Sequence, residues 1–497
     1  MLKEKIKEIQ TKKEMAFLKS FDKSQTFLVG GAIRDFILQK PTKDFDFVVI
    51  DKTGEEIEKK LQQYGKVEEV ESRAFGVFKF IPKNSNLIFD IALPRIDHWT
   101  GLGYKDLKTQ IGVSLKEDLS RRDFTINALA INLNGELVDE FGGIQDLNQK
   151  LIRAVGDPNE RFREDPSRIL RGLRLACVLD FKIEKKTLAA MINLAEEITK
   201  PAHGNDTRVA PEVMAGEFLK GFSANSTRII KLLDKTGILK LLLPEIEKMK
   251  GVKQPEIFHA EGDVFNHTLI ALEKLKNLET NPKLVKSAIP IDPKSIHAKL
   301  AILFHDLGKP KTFRSAKETG DRIRFTGHDI AGAKMLEIIF KRLPLSVFEK
   351  DTPLHVDKEK LIWLVKHHMV CVAVDPETIR LSTMEKYFFN PDNRGGELLA
   401  LSFADISATI PKSGNPDFSL FNGLLKKIKS VAEVINKKQG EEALPHFLDG
   451  TEIMKILNLK PGPKIGKIKN ELRDLQLAGK LKSEDEAIKY LENNNLK

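Results

Sequence analysis

LVGGAIRD at residues 28–35, followed by KDFDFVVI at residues 43–50, is the stretch that decides the fold. Apolar residues run into the Gly30–Gly31 pair and a helix-forming segment leaves it, a pattern that predicts strand, tight turn and helix. Without Cβ atoms, backbone amides at Gly30 and Gly31 could approach a triphosphate closely, although a purely structural turn accounts for two glycines equally well. Arg34 and Asp35 follow in the first turn of that helix. Asp44 and Asp46 stand two apart in a strand-like run, so both would face one side and Phe45 the other. Neighbouring carboxylates repel unless a cation neutralises them. Asp90 interrupts the apolar run LIFDIAL (residues 87–93) in the same way. Three acids on adjacent strands beside such a turn suit two Mg²⁺ ions roughly 3.5–4 Å apart, with Asp44 and Asp46 as metal ligands. That layout predicts nucleotidyl transfer, a reaction governed mainly by position and charge.

Outward from this stretch, QTFLVG, FDFVVI, VFKFIP and LIFDIAL read as strands, while AIRDFILQ and EEIEKKLQQY have helical periodicity. After about residue 145 the pattern is helical almost throughout, with no fixed-period repeat and no low-complexity segment. The chain has 497 residues, too many for one core, so three or four domains are expected. No apolar run is long enough for a membrane span, and the first twenty residues lack the apolar centre of a signal peptide. Cys177 and Cys371 are the only cysteines and neither sits in a CxxC pair, which argues against a disulfide framework and for a reducing cytoplasm. A net charge of +10 makes a phosphate-rich partner plausible, and a lysine-rich surface explains it as well.

Arg121, Arg122 and Asp123 open RRDFTINALA (residues 121–130), where guanidinium groups would bind triphosphate or ribose oxygens and Asn127 would reach a sugar hydroxyl. GGAIRD, DFD, FDIALPR, EDLSRRDFTINALA and DPNERFREDPSRILRGLRLA, in this order over roughly residues 20–245, closely resemble the class II branch of the polymerase β superfamily. That branch holds tRNA CCA-adding enzymes and bacterial poly(A) polymerases. The resemblance implies an α+β chain: a small mixed-sheet nucleotidyltransferase head (20–150) and an all-α neck and body (151–250). An all-α HD domain (255–410) and a helical RNA-docking tail (420–497) would follow. It also implies that Asp165 and Arg168, on one face of the helix EDPSRILRGLR, hydrogen-bond the base edges of incoming CTP and ATP. Arg171 shares that face; for it and Arg174, phosphate contact or a solvated stripe is an equal reading. The family's later Glu-Arg motif is altered here, because RVAPEVMAGEF puts Val213 where the arginine would stand. Glu212 and Arg208 remain candidates for fixing the neck.

Most histidines fall in one helical region. His267, His305, Asp306 and Asp405 match the H…HD…D pattern of HD-domain metal phosphohydrolases. His328 and one of His367 or His368 would complete a second metal or phosphate site. Imidazole with carboxylate suits a divalent ion whose bound water attacks a phosphoester; the resemblance implies cyclic or terminal phosphates of damaged RNA ends as substrates. In the tail, PGPKIG leads into a helix where Lys460, Lys464, Lys467 and Lys469 could follow an RNA backbone.

The expected activity is CCA addition to tRNA from CTP and ATP. Poly(A) synthesis is the nearest alternative, although SRAFGVFKF (residues 72–80) lacks that branch's Gly-Arg-Arg-Phe-like strand. CC-only or A-only addition is another, and the loop at residues 94–114 is expected to govern that choice. An RNA-binding HD phosphohydrolase with an inactive head is the alternative of a different class.

Overall fold

A computed structural model of the chain describes residues 2–42, 44–68, 75–99, 107–202, 206–278, 288–390, 395–438 and 445–493. It divides into two compact units, Met1–Leu242 and Leu243–Lys497. Residues 100–106 of the loop expected to govern nucleotide choice lie outside the described residues, as does the start of SRAFGVFKF.

In the first unit the strands are β1 (Thr26–Val29), β2 (Asp46–Val49), β3 (Gly65–Val67), β4 (Val77–Pro82), β5 (Phe89–Ala92), β6 (Arg95–Trp99) and β7 (Leu107–Ile111). β8 (Ala130–Asn132), β9 (Leu137–Val138), β10 (Leu151–Ile152) and β11 (Lys182–Ile183) complete them. Seven form one mixed sheet in the order β3-β4-β5-β2-β1-β8-β9. Period-two alternation makes both faces apolar. Phe27, Val29, Val48 and Ala130 pack with Leu119 on one face. On the other, Phe17 meets the rings of Phe47, Phe80 and Phe89, with centroids 4.9–6.0 Å away.

Register sets the chemistry. Val29 pairs with Asp46, Asp46 with Asp90 in the parallel ladder, and Asp90 with Lys79. The two acids therefore stand side by side between Val29 and Lys79. Asp44 differs from expectation, since β2 begins only at Asp46 and Asp44 precedes the strand. The reason is local: β1 ends opposite Asp46, and at Gly30 (φ 77°) the chain turns away, so Asp44 has no ladder partner.

Among the described residues after 145 the named elements are helices apart from the short parallel pair β10 and β11. EDPSRILRGLR is not one continuous helix. One helix spans Pro158–Glu164, Asp165 is extended (φ −138°, ψ 97°), and a second helix runs Ser167–Leu179. Pro166 disfavours helical backbone in the residue before it, and the Asp165 carboxylate accepts from the Ser167 amide at 2.9 Å where the second helix begins. Arg208, rather than the exposed Glu212, ties the neck, reaching Glu197 and the Arg163 carbonyl. Val213 is 43% exposed on the helix Pro211–Ala224.

The second unit is helical. Val264–Lys274, Ile296–Phe304 and Gly395–Ala408 pack together, and His328–Arg342 lies on Lys358–His367. Its tail helices, Gly450–Leu457, Pro463–Leu477 and Glu484–Asn493, close a small core of their own around Ile453, Ile468 and Leu491. Arg473 binds Glu385, anchoring that core to the unit. Among the described residues no helix is long and apolar enough to cross a membrane. Cys177 and Cys371 are buried free thiols, both pushed up to about 12 by burial.

Candidate active site and metal centre

In the first unit the acids meet a cationic flank. Burial, then the charges of Asp44 and Asp90, push the Asp46 carboxyl up to about 6. Asp44 is exposed, Asp90 is half-buried, and Lys79 Nζ lies 3.6 Å from Asp90. A set of acids whose most buried member resists ionisation fits a divalent cation, which would remove the repulsion.

Arg122 borders the glycine turn: a Cβ on Gly30 would stand 3.0 Å from its Nη1. Its Nη2 lies 3.2 Å from Asp118, and its buried Nε has no hydrogen-bond acceptor among the described residues. Arg121 is committed elsewhere, to Asp118 at 2.8 Å and Asp97 at 3.1 Å. Asp118 is fully buried; burial pushes its carboxyl up, but Arg122 and Arg121 more than offset this and hold it low. Asp118 escaped the sequence reading, although an acid three and four residues before paired arginines was a usable signal.

A polar chain links the turn to the helix Ser167–Leu179. Arg34 donates to Asn127 at 2.7 Å, Asn127 donates to Asp123 at 3.0 Å, and Arg171 lies 3.0 Å from Asp123. Burial raises the Asp123 carboxyl, but Arg171 and the amide donors win and keep it ionised. Arg168 is buried, donating to the Arg121 carbonyl at 2.9 Å and to Glu164 at 3.1 Å. Its Nε sits 3.8 Å from the half-buried Asp165, so those two side chains are neighbours despite the helix break. Arg174 binds Glu217 at 2.6 Å, joining two helices, a pairing that sequence spacing alone does not show.

Among the described residues the second unit assembles three groups of donors, each within 4.8 Å: His259, Glu261 and His267; His267, His305 and Asp405; and Asp306, His328 and His368. His267 Nε2 is 2.9 Å from Asp405, and His328 Nε2 is 3.0 Å from His368 Nε2. His367 is not in the cluster. Its ring bonds the Trp363 carbonyl and packs on Trp363 and Tyr387, because adjacent residues on a helix cannot face the same way. Among the described residues His305 Nε2 is buried without a hydrogen-bond partner, 3.1 Å from Asp306 and 3.7 Å from Asp405.

Glu261 went unread in the sequence. Its fully buried carboxylate meets His267 Nδ1 at 2.8 Å and accepts from the Ile410 amide at 3.0 Å. Burial pushes it up, but the bonds to His259 and His267 outweigh that and bring it down to about 2. Burial lowers His267, yet Asp405 and Glu261 raise it to about 9; His368, buried beside His305 and His328, falls to about 4. Imidazoles aimed at carboxylates, one orphaned nitrogen and a carboxylate orienting His267 from behind form a donor set that fits divalent cations.

Three segments match family models: residues 26–153 the poly(A) polymerase head domain, 180–250 a probable RNA- and SrmB-binding site of polymerase A, and 264–371 the HD domain. An A-adding tRNA nucleotidyltransferase of Deinococcus radiodurans is 32% identical over 384 residues, which is 76% of this chain and 79% of that one. A multifunctional CCA protein of Mannheimia succiniciproducens is 33% identical over 334 residues, 66% of this chain and 72% of its own. The fold is similar to a Bacillus stearothermophilus CCA-adding enzyme in complex with CTP, with TM-score 0.58, 20% identity, and 99% and 97% of the two chains covered. It is also similar to a Thermotoga maritima CCA-adding enzyme complexed with tRNA, with TM-score 0.55, 21% identity, and 94% and 90% covered. With paired acids on neighbouring strands beside a glycine turn and relatives of this closeness, the chain belongs to the tRNA nucleotidyltransferase and poly(A) polymerase family.

Proposed function

We propose that this chain extends tRNA 3′ ends without a template, adding CCA from CTP and ATP. The register that sets Asp46 beside Asp90, flanked by Arg122 at the Gly30 turn, carries this reading. Asp44 and Asp46, with Asp90, would hold Mg²⁺. Bound there, the ions would supply the positive charge that activates the RNA hydroxyl and steadies pyrophosphate. Arg122, with its unused buried Nε, would hold the triphosphate. Arg34, Asn127 and Asp123 would place the ribose, and Arg171 would brace Asp123. Asp165 and Arg168 would read the base edge once Arg168 exchanges its bond to the Arg121 carbonyl for one to the base. The committed contacts of Arg121 favour a role in holding the Arg122 loop.

The proposed division of labour follows the segments: head 20–150, neck and body 151–250, HD region 255–410 and tail 420–497, with Lys460, Lys464 and Lys467 exposed for RNA. His267, His305, Asp306 and Asp405, joined by His328 and His368, would hold divalent ions for hydrolysis of phosphates at RNA ends. Buried, unpaired cysteines accord with action in the cytoplasm.

The A-adding relative, 32% identical over 384 residues, favours a second reading in which only the terminal A is added. Incubating the protein with tRNA lacking CCA and with tRNA ending in CC, each with CTP, ATP or both, decides. Incorporation of C, C and A that then stops supports full CCA addition. Addition to the CC-ended tRNA alone supports the second reading, a long A-tail on unrelated RNA supports poly(A) synthesis, and no incorporation with Mg²⁺ overturns nucleotidyl transfer.

A further inference from the structure

The histidine cluster opens into a cavity of about 760 Å³, a size suited to a whole small-molecule ligand rather than a lone phosphate. Asp306, His328 and Asp405 line it together with Phe258, Arg322 and Leu420. Phe258 is 41% exposed, although a free phenylalanine ring gains from burial, and Leu420 is 42% exposed. The Arg322 guanidinium stands 5.3 Å above the Phe258 ring, bringing together residues from two different loops. Arg322 is itself exposed, on a segment closed by the Arg314–Arg324 bridge. An uncovered aromatic face with a stacked guanidinium is what a flat, π-faced ligand group recognises. Phosphate-sized ligands would need neither.

We propose that Phe258 and Arg322 form a nucleobase-stacking subsite of this cavity, so that its ligand is a nucleoside phosphate with the phosphate at the histidine–aspartate end. The proposal rests on the phosphohydrolase reading of the HD region and adds to it the group that selects the substrate. A bare cation–π contact that merely staples two loops would serve stability and leave ligand choice unchanged.

The test titrates the Mn²⁺-loaded full-length protein with adenosine 2′-phosphate, with a short RNA ending in a 3′-phosphate and with inorganic phosphate. Binding that Asp306→Ala leaves intact belongs elsewhere in the chain and is subtracted. Phe258→Ala and Arg322→Ala are expected to weaken the nucleotide on the order of ten-fold and to leave inorganic phosphate unchanged, with Phe258→Tyr restoring the nucleotide. Preference for the short RNA over the mononucleotide would identify an RNA end as the source of the ligand, and the reverse a free nucleotide. Equal weakening of nucleotide and phosphate, or no weakening of either, overturns the subsite. Phosphate binding that ignores Asp306→Ala sinks the metal reading separately, and the subsite is then judged on whether Phe258→Ala still lowers total nucleotide binding.

Discussion

At the scale of single residues, Asp46 is raised to about 6 by burial and by its acidic neighbours, so the fold prefers its proton-bound form. The sign follows: this group's contribution to stability is present below the ordinary carboxylate pKa of about 3.9 and is lost as pH rises through about 6. A divalent cation competes with that proton, so Mg²⁺ should raise the Tm of the protein more at about pH 7.5 than at about pH 5. An equal rise at both would remove Asp46 from the metal site. Asp118 has the opposite sign, since its depressed pKa contributes stability that is lost as pH falls through the acid range. Asp118→Ala leaves Arg121 and Arg122 without their buried partner and should cost about 3–5 kcal/mol, measured by denaturant unfolding. A loss below about 1 kcal/mol would mean the pair is solvated. Behind His267, Glu261→Gln should weaken Mn²⁺ binding at the HD site by about 10–100-fold in equilibrium dialysis; unchanged affinity would make Glu261 a packing residue only.

At the scale of elements, register and close approach decide more than propensity. The four core strands were legible because β-branched and aromatic residues alternate, and a one-residue slip would have turned Asp46 into the core. The break at Asp165 was less legible: apolar periodicity runs straight through it, and Pro166 marked it only if weighed against that periodicity. Gly308 in FHDLGKP shows a constraint that spacing cannot reveal. A Cβ there would stand 2.0 Å from the His328 carbonyl, so Gly308→Ala must push the helix His328–Arg342 away from Asp306. It should destabilise the second unit by about 1–3 kcal/mol and weaken metal binding there, while the first unit's nucleotide addition persists. Unaltered melting and metal affinity would show that the approach is looser than the geometry states.

At the scale of the whole molecule, the two compact units each carry one acidic centre of their own. Asp44→Ala should abolish nucleotide addition and leave phosphoester hydrolysis, and Asp306→Ala should do the reverse; joint loss in a folded variant would contradict separate sites. By itself the sequence showed a strand-rich head and a helical remainder, and it singled out the acids at 44, 46 and 90 and most of the histidine–aspartate set as candidates, because these depend on short-range periodicity and on side-chain types rare in apolar runs. Only the tertiary structure decided that Arg122 rather than Arg121 faces the glycine turn, that His368 rather than His367 joins the cluster, and that Glu261 orients His267. Those choices turn on which way a side chain points and on partners as far as 149 residues apart, as between Glu261 and Ile410. A local pattern carries no record of either, because both are set by how helices and strands pack against one another.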